Sequence, residues 1–391
     1  MNKRDEILSV LQRCVLCGSC KAECPTYLTE GSESKSPRGR LYLLSCLYSN
    51  QAHPSEEIAE RIYSCLLCGA CEKRCPAGVD IMLALYNGRA FLKGYDPFNR
   101  RWGVLLSSAF RHRAMGHRFA RLLFPLLKGR LEKAHIIPRG FTFESYRFSH
   151  AGDVFIPSRD ITKKGRVTLF KGCMVEFVFP HLGEAFVRVA NSLGYEVVTL
   201  RGEQCCGAPL LGMGLMEEAR RLASRNISRF RAIKADTIVS LCPTCVKILS
   251  GDYRRLTGEG MNIIDVNTFL IDRLDKGKGI SLSALYHDPC HSLYSLGQYD
   301  EPRGILKHAG IKLLDYQMGC CGLAGTYALR NREKSMEMLS RNVDVFRSAG
   351  ADVVVTSCPG CLFQFLKRLE QERVFHTIEI VDEYLHEGHT A

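Results

Sequence analysis

The chain has 391 residues, of which 46% are hydrophobic and 24% charged, with 19 cysteines and a formal net charge of +12. A length of this order holds two or three domains with cores of their own, and the composition is that of an ordinary soluble protein. It also argues against a membrane-spanning protein, because no apolar run approaches the roughly 20 residues that a bilayer demands.

Met1 to Val10 is polar and charged and shows no apolar core of a secretory signal. Nineteen thiols in an exported chain would suggest disulfides, but these stand at metal-ligand spacings, so a reducing cytoplasm is the expected setting. One twelve-residue pattern then occurs twice. Cys14, Cys17, Cys20 and Cys24-Pro25 form a C-x2-C-x2-C-x3-C-P run, and Cys65, Cys68, Cys71 and Cys75-Pro76 repeat it without insertion or deletion. In runs of this kind three close thiolates hold one [4Fe–4S] cluster and the fourth reaches across to the other. The expected sets are Cys14, Cys17, Cys20 with Cys75, and Cys65, Cys68, Cys71 with Cys24. Gly18 and Gly69 let the backbone wrap closely around the sulfurs, and Pro25 and Pro76 turn the chain away after the fourth ligand. Structural zinc also uses paired C-x2-C units, but two four-cysteine runs ending in proline suit it poorly.

Between the runs, Ser36-Pro37-Arg38-Gly39-Arg40 reads as a turn. It leads into a short helix over Arg40–Tyr48 with Leu41, Leu44 and Leu47 at helical spacing. Arg38 and Arg40 are either solvated or hold the fold and tune the charge near the clusters. Cys46 stands outside every metal spacing and is expected to be a small buried hydrophobe.

Residues 92–164 form a basic connector after a module spanning 1–91. From Phe91 to Gly140 there are 11 Lys/Arg against Asp96 and Glu132 alone, a local net charge of +9. That concentration points to one docking face rather than to general nucleic-acid binding. Leu105 to Leu127 reads as helical segments interrupted at Gly116 and Pro125. They would pack on the protein itself, dock a partner subunit, or lie on the anionic inner face of the cell membrane.

The remainder is an internal duplication, with repeats over 165–280 and 281–391. Cys173, Cys205-Cys206-Gly207 and Cys242-Pro243-Thr244-Cys245 return as Cys290, Cys320-Cys321-Gly322 and Cys358-Pro359-Gly360-Cys361, at offsets of 115 to 117 positions. Short β-rich runs at Val167–Phe170, Val197–Leu200, Thr237–Ser240 and Val353–Thr356 alternate with helical patterns at Gly183–Leu193, Met216–Ile233 and Arg332–Phe346, the signature of a mostly parallel sheet. The fold expected is therefore α+β and multidomain, an α-helical ferredoxin-like module followed by a duplicated α/β cysteine-rich domain. Cys173, Cys242 and Cys358 fall just past strands, where open α/β sheets bind ligands, so each repeat's five cysteines are expected at one mouth. Adjacent Cys205-Cys206 and Cys320-Cys321 suit a cluster with several metal atoms better than one tetrahedral ion. Eighteen of the 19 cysteines are thereby placed in metal sets, leaving Cys46.

The doubled run, the SPRGR segment and the two Cys-Cys-Gly repeats resemble the iron–sulfur subunit of glycolate oxidase and its relatives. These include the lactate-utilisation iron–sulfur protein, the anaerobic glycerol-3-phosphate dehydrogenase small subunit and the cysteine-rich heterodisulfide reductase subunit. Cys320 to Leu329 is especially similar to glycolate oxidase, and the connector is the least covered part. The resemblance implies an electron-transfer subunit that accepts electrons from an FAD-containing dehydrogenase of a 2-hydroxy acid and passes them to quinone or another acceptor. It implies two [4Fe–4S] clusters in front and one or two further clusters, of the non-cubane [4Fe–4S] kind, in the repeats. The alternative it implies is a heterodisulfide-reductase-like subunit whose C-terminal cysteines are catalytic. No G-x-G-x-x-G follows a strand to open a helix, so FAD or NAD is expected on a partner rather than here.

Overall fold

A computed structural model describes residues 3–143, 153–200, 202–233, 237–274 and 279–387. The front of the chain is helical: α1 (Lys3–Gln12), α2 (Pro25–Glu30), α3 (Pro37–Tyr48), α4 (Glu56–Tyr63), α5 (Ala70–Lys73) and α6 (Ile81–Leu92). The expected turn at Ser36–Arg40 is instead the start of α3. Ser36 caps it, its Oγ accepting from the Gly39 N–H at 3.0 Å, and Pro37 occupies the first helical position, where its missing N–H costs nothing. Gly39 is required there, because a Cβ would lie 2.0 Å from the Glu33 carbonyl oxygen. Leu41, Leu44 and Leu47 are buried, whereas Cys46 is only half-buried and not the core residue expected.

The connector forms two helices, α7 (Pro97–Arg111) and α8 (Arg113–Lys133). The break falls at His112, not at Gly116 or Pro125. The Gly116 N–H bonds to the His112 carbonyl at 2.8 Å and continues the helix, and α8 runs through Pro125, which faces solvent. Residues 144–152 of the connector lie outside the described residues.

Two sheets follow. The first has the order β1-β3-β2-β4-β5, from Val154–Phe155, Gly165–Phe170, Tyr195–Thr199, Thr237–Ser240 and Ile263–Asp265 taken in chain order, with only β1 antiparallel. The second has the order β7-β6-β8-β9, from Ser283–His287, Lys312–Leu313, Val353–Thr356 and Val374–His376, and is wholly parallel. Setting aside β1, the two orders are the same, as a duplication requires. The central strands of both sheets are largely buried, as expected of parallel strands covered by helices.

The parts share cores rather than hanging from linkers. One apolar cluster joins Ile7, Leu44, Tyr63 and Leu85 of the front module to Phe170, Leu211 and Tyr253 of the first repeat. A second joins Val167, Phe186 and Val239 of the first repeat to Leu285, Phe346 and Phe365 of the second. Arg89 is buried between front module and first repeat. Its guanidinium donates to the carbonyls of Gly212 at 2.8 Å and of Cys65 at 2.5 Å. Across the repeats, the His376 ring bonds the Leu241 carbonyl at 3.0 Å and Asn267 bonds Ser357 at 2.9 Å.

Candidate metal centres

The doubled run folds twice in the same way. Leu16 and Leu67 have φ of 56° and 57°, and Gly18 and Gly69 have 85° and 86°. A leucine in the left-handed region is strained. Its recurrence at both matched positions shows that the two loops take the same bent backbone course.

Cys24, Cys65, Cys68 and Cys71 line one cavity together with Arg40. Arg40 is 1% exposed; its Nε donates to the Arg61 carbonyl at 2.8 Å and its Nη2 to Thr26 and Ser64 hydroxyls at 3.1 and 3.0 Å. Its Nη1 is buried and has no hydrogen-bond partner among the described residues. An unpaired guanidinium N–H beside four thiols fits an anionic thiolate-ligated cluster, which would supply the missing acceptor and charge. Burial pushes the Cys68 thiol up to about 12 and raises Cys71 well above its ordinary value, so metal entry must displace protons from both. The other front cysteines stand nearer the surface. Cys17 is exposed, Cys14, Cys20 and Cys75 are half-buried, and Arg13 reaches the Ala77 carbonyl at 3.4 Å, tying the loop of Cys14 to the segment after Cys75. Arg38 donates to the Leu16 carbonyl at 2.9 Å and pairs with Glu33, whose carboxyl it holds down at about 2.

In the repeats the cysteines lie past the strand ends. Cys173 sits in α9 (Gly172–Phe177) after β2, Cys242 caps a helix after β4, Cys290 follows β6 and Cys358 caps a helix after β8. Cys242 and Cys358 have φ of −127° and −126°, each followed by proline at the first helical position. The Cys206 thiol is pushed down by bonds from Cys205 and then Cys245, and Cys321 by bonds from Cys320 and then Cys361, at 3.3 Å from the latter. Cys358 is pushed down by bonds from Cys242 and then Cys361. The Cys242–Cys358 contact crosses the repeat boundary. The two sets therefore abut, where sequence reasoning placed each at a mouth of its own. Cys68 of the front module packs in one small cluster with Cys290 and Cys320. A row of neighbouring thiols thus runs from Cys68 through Cys290 and Cys320 to Cys358 and Cys242 and, by way of Cys245, to Cys206.

Several residues that shape this row carry no cysteine signal. Asn226 Nδ2 donates to the Cys205 carbonyl at 3.3 Å, and Asn342, 116 positions later, donates to the Cys320 carbonyl at 3.0 Å. The duplication offset was the one signal able to pair them. Glu203 accepts from the Lys171 and Gly172 N–H groups at 3.0 and 2.9 Å and fixes the turn before Cys173. His287 at the end of β6 has a ring nitrogen within 4.8 Å of the Cys321 and Cys361 sulfurs. His291 joins all three parts, bonding the Leu67 carbonyl at 3.0 Å and the Thr244 hydroxyl at 2.9 Å.

Comparison with known proteins agrees with this architecture. Residues 10–79 match the 4Fe-4S dicluster domain, and residues 167–250 and 284–366 each match the cysteine-rich domain. The chain is 28% identical to a subunit of the CoM/CoB fumarate reductase of Methanothermobacter marburgensis, over 95% of this chain and 72% of that protein. It is 28% identical to the probable glycolate oxidase iron-sulfur subunit of Bacillus subtilis, over 93% and 90%. It is 26% identical to a subunit of the dihydromethanophenazine:CoB–CoM heterodisulfide reductase of Methanosarcina acetivorans, over 90% and 88%. Among the described residues no helix is long and apolar enough to cross a membrane.

Proposed function

Because the chain belongs with the iron–sulfur proteins that join a 4Fe-4S dicluster domain to two cysteine-rich domains, we propose that it is the electron-transfer subunit of an oxidoreductase complex. It takes electrons from an FAD-dependent 2-hydroxy-acid dehydrogenase of the glycolate or lactate type and passes them to quinone or another acceptor. The observation that supports this reading is the row of neighbouring thiols, which links the front module at Cys68 to the buried ends of both sheets. Iron–sulfur clusters held along it supply one-electron carriers. Cys14, Cys17, Cys20 and Cys75 would hold one [4Fe–4S] cluster, and Cys65, Cys68, Cys71 and Cys24 the other. Cys173, Cys205, Cys206, Cys242 and Cys245, with Cys290, Cys320, Cys321, Cys358 and Cys361, would hold one or two more. On this division Cys24→Ser alters mainly the cluster of Cys65, Cys68 and Cys71. Electron paramagnetic resonance of that variant, with the signal instead lost from the Cys14 set, would reverse the assignment.

Partner docking falls to α7 and α8. Met115, Phe119, Leu122 and Leu126 recur at spacings of four, three and four along α8 and are 62 to 79% exposed, with Arg118, Arg121 and Arg130 beside them. Val104 and Leu105 are exposed on α7. An apolar stripe flanked by cations marks an interaction face for an acidic-rimmed subunit or an anionic lipid surface.

The contact between Cys242 and Cys358 favours a second reading, in which the two abutting sets form a reductase centre for a disulfide. One experiment separates the two. The anaerobically prepared chain is mixed with a flavin-dependent 2-hydroxy-acid dehydrogenase across a salt series, and dye reduction is followed. The carrier reading expects dye reduction that falls as salt screens the two basic helices over about 10 Å at 0.1 M, and no disulfide cleavage by the reduced chain. Disulfide turnover without dehydrogenase coupling would establish the reductase instead.

A further inference from the structure

A cleft of about 580 Å³ opens where the front module and both repeats meet. One wall is the end of the second cysteine loop, Gly69 to Lys73. Another is the π-helical turn Ile248–Asp252 with the helix after it, and the third is the π-helical turn His291–Leu296. Each wall follows closely on a cysteine of the thiol row, namely Cys68, Cys245 and Cys290. The walls are in close contact: a Cβ at Gly69 would lie 3.1 Å from the Ser295 hydroxyl. The volume suits a small-molecule ligand, and π-helical turns concentrate at functional sites.

Four cations and one carboxylate line the cleft. Lys247 is paired with Asp252 at 2.5 Å, and Arg255 with Asp252 and Asp80 at 2.9 and 3.3 Å. Glu72 stands 3.7 Å from Arg255. Lys73 and Arg254 are exposed and form no ion pair among the described residues. Two unneutralised cations, one from the front module and one from the first repeat, thus share a cavity. Tyr294 and Leu296 give it an apolar side, and Tyr294 packs in the same small cluster as Cys68, Cys290 and Cys320.

We propose that this cleft binds the small-molecule electron acceptor, a planar quinone-type ring carrying an anionic group. The anion lies between Lys73 and Arg254, and the ring lies toward Tyr294. The assignment rests on the carrier reading above. The ring's two carbonyl oxygens take up two electrons and two protons to give the hydroquinone. The partner's oxidation of a 2-hydroxy acid to a 2-oxo acid releases the same two electrons and two protons.

The test uses the full chain prepared without oxygen, with anthraquinone-2-sulfonate as the anionic probe and 2-(hydroxymethyl)anthraquinone as its neutral counterpart. Binding is measured by calorimetry, and reoxidation of the dithionite-reduced chain is followed separately. The sulfonate is expected to bind more tightly than the neutral ring. Lys73→Ala with Arg254→Ala should weaken sulfonate binding by at least about tenfold, the scale of a lost charged hydrogen bond. The neutral ring's affinity and the iron content should stay unchanged, and Arg254→Lys should restore part of the loss. Equal affinity for both probes, or sulfonate binding indifferent to the double variant, overturns the cleft. Charge-selective binding without reoxidation by either probe overturns the redox role of the cleft and leaves an anion site, while the carrier reading stands or falls separately on dehydrogenase-coupled dye reduction.

Discussion

Electron flow from the dehydrogenase to an acceptor dye is expected to fail in two separate variants, Cys205→Ala with Cys206→Ala and Cys320→Ala with Cys321→Ala, while the signals of the front clusters persist. Each pair sits at the centre of its set. Cys205 and Cys245 act on the Cys206 thiol, and Cys321 lies 3.3 Å from Cys361. Cys205 and Cys206 are 0% and 4% exposed, so no water-borne group can stand in for the missing sulfurs. The asparagines that hold the two loops, Asn226 and Asn342, bond backbone carbonyls rather than thiols, so the loops should keep their course. Each variant should lose about four irons if its repeat holds one four-iron cluster. Undiminished dye reduction in either variant would remove that repeat from the electron path.

Arg89→Ala is expected to carry the largest stability loss of any single substitution at the module boundary. The guanidinium is 3% exposed and bonds carbonyls of Tyr63, Cys65 and Gly212, so truncation strands several buried acceptors at once. At about 1–3 kcal/mol for each unsatisfied group, the loss should reach about 3 kcal/mol or more, read as a lower denaturant midpoint for the anaerobic protein. Lysine should not rescue it, because an ammonium lacks the planar fork that spans these carbonyls. The Cys65 carbonyl bond predicts a further change, a shifted spectrum of the cluster nearest Cys65. A variant with parental midpoint and spectrum would make the boundary a passive contact.

What was legible in the sequence was what repeats locally. The doubled run and the constant offset revealed the helical front and the two like sheets. The strands at Thr237–Ser240 and Val353–Thr356 lie where β-branched runs place them. The turn expected at Ser36–Arg40 failed because Ser-Pro signals a helix start as readily as a turn, and here Ser36 caps the helix that Pro37 opens. The connector's break was misplaced because Gly116 and Pro125 are tolerated on a half-exposed helix, whereas His112 marks a corner that no local signal announces. The meeting of Cys242 with Cys358, and of Cys68 with Cys290 and Cys320, depends on how separate units pack. Spacing along one chain carries no information on that. Arg89, His291 and Glu203 were hidden for the same reason, since their partners, mostly backbone atoms, lie far away in sequence.

On the proposed function, the thiols past the strand ends hold iron as the front thiols do. The most direct test of this is the iron and acid-labile sulfide content of the intact chain, purified and reconstituted without oxygen. Two four-iron clusters account for about eight irons. Iron at the strand ends predicts clearly more, rising by about four for each filled repeat. A fully loaded preparation that stops at about eight irons, with zinc or free thiols accounting for Cys173 through Cys361, would contradict it.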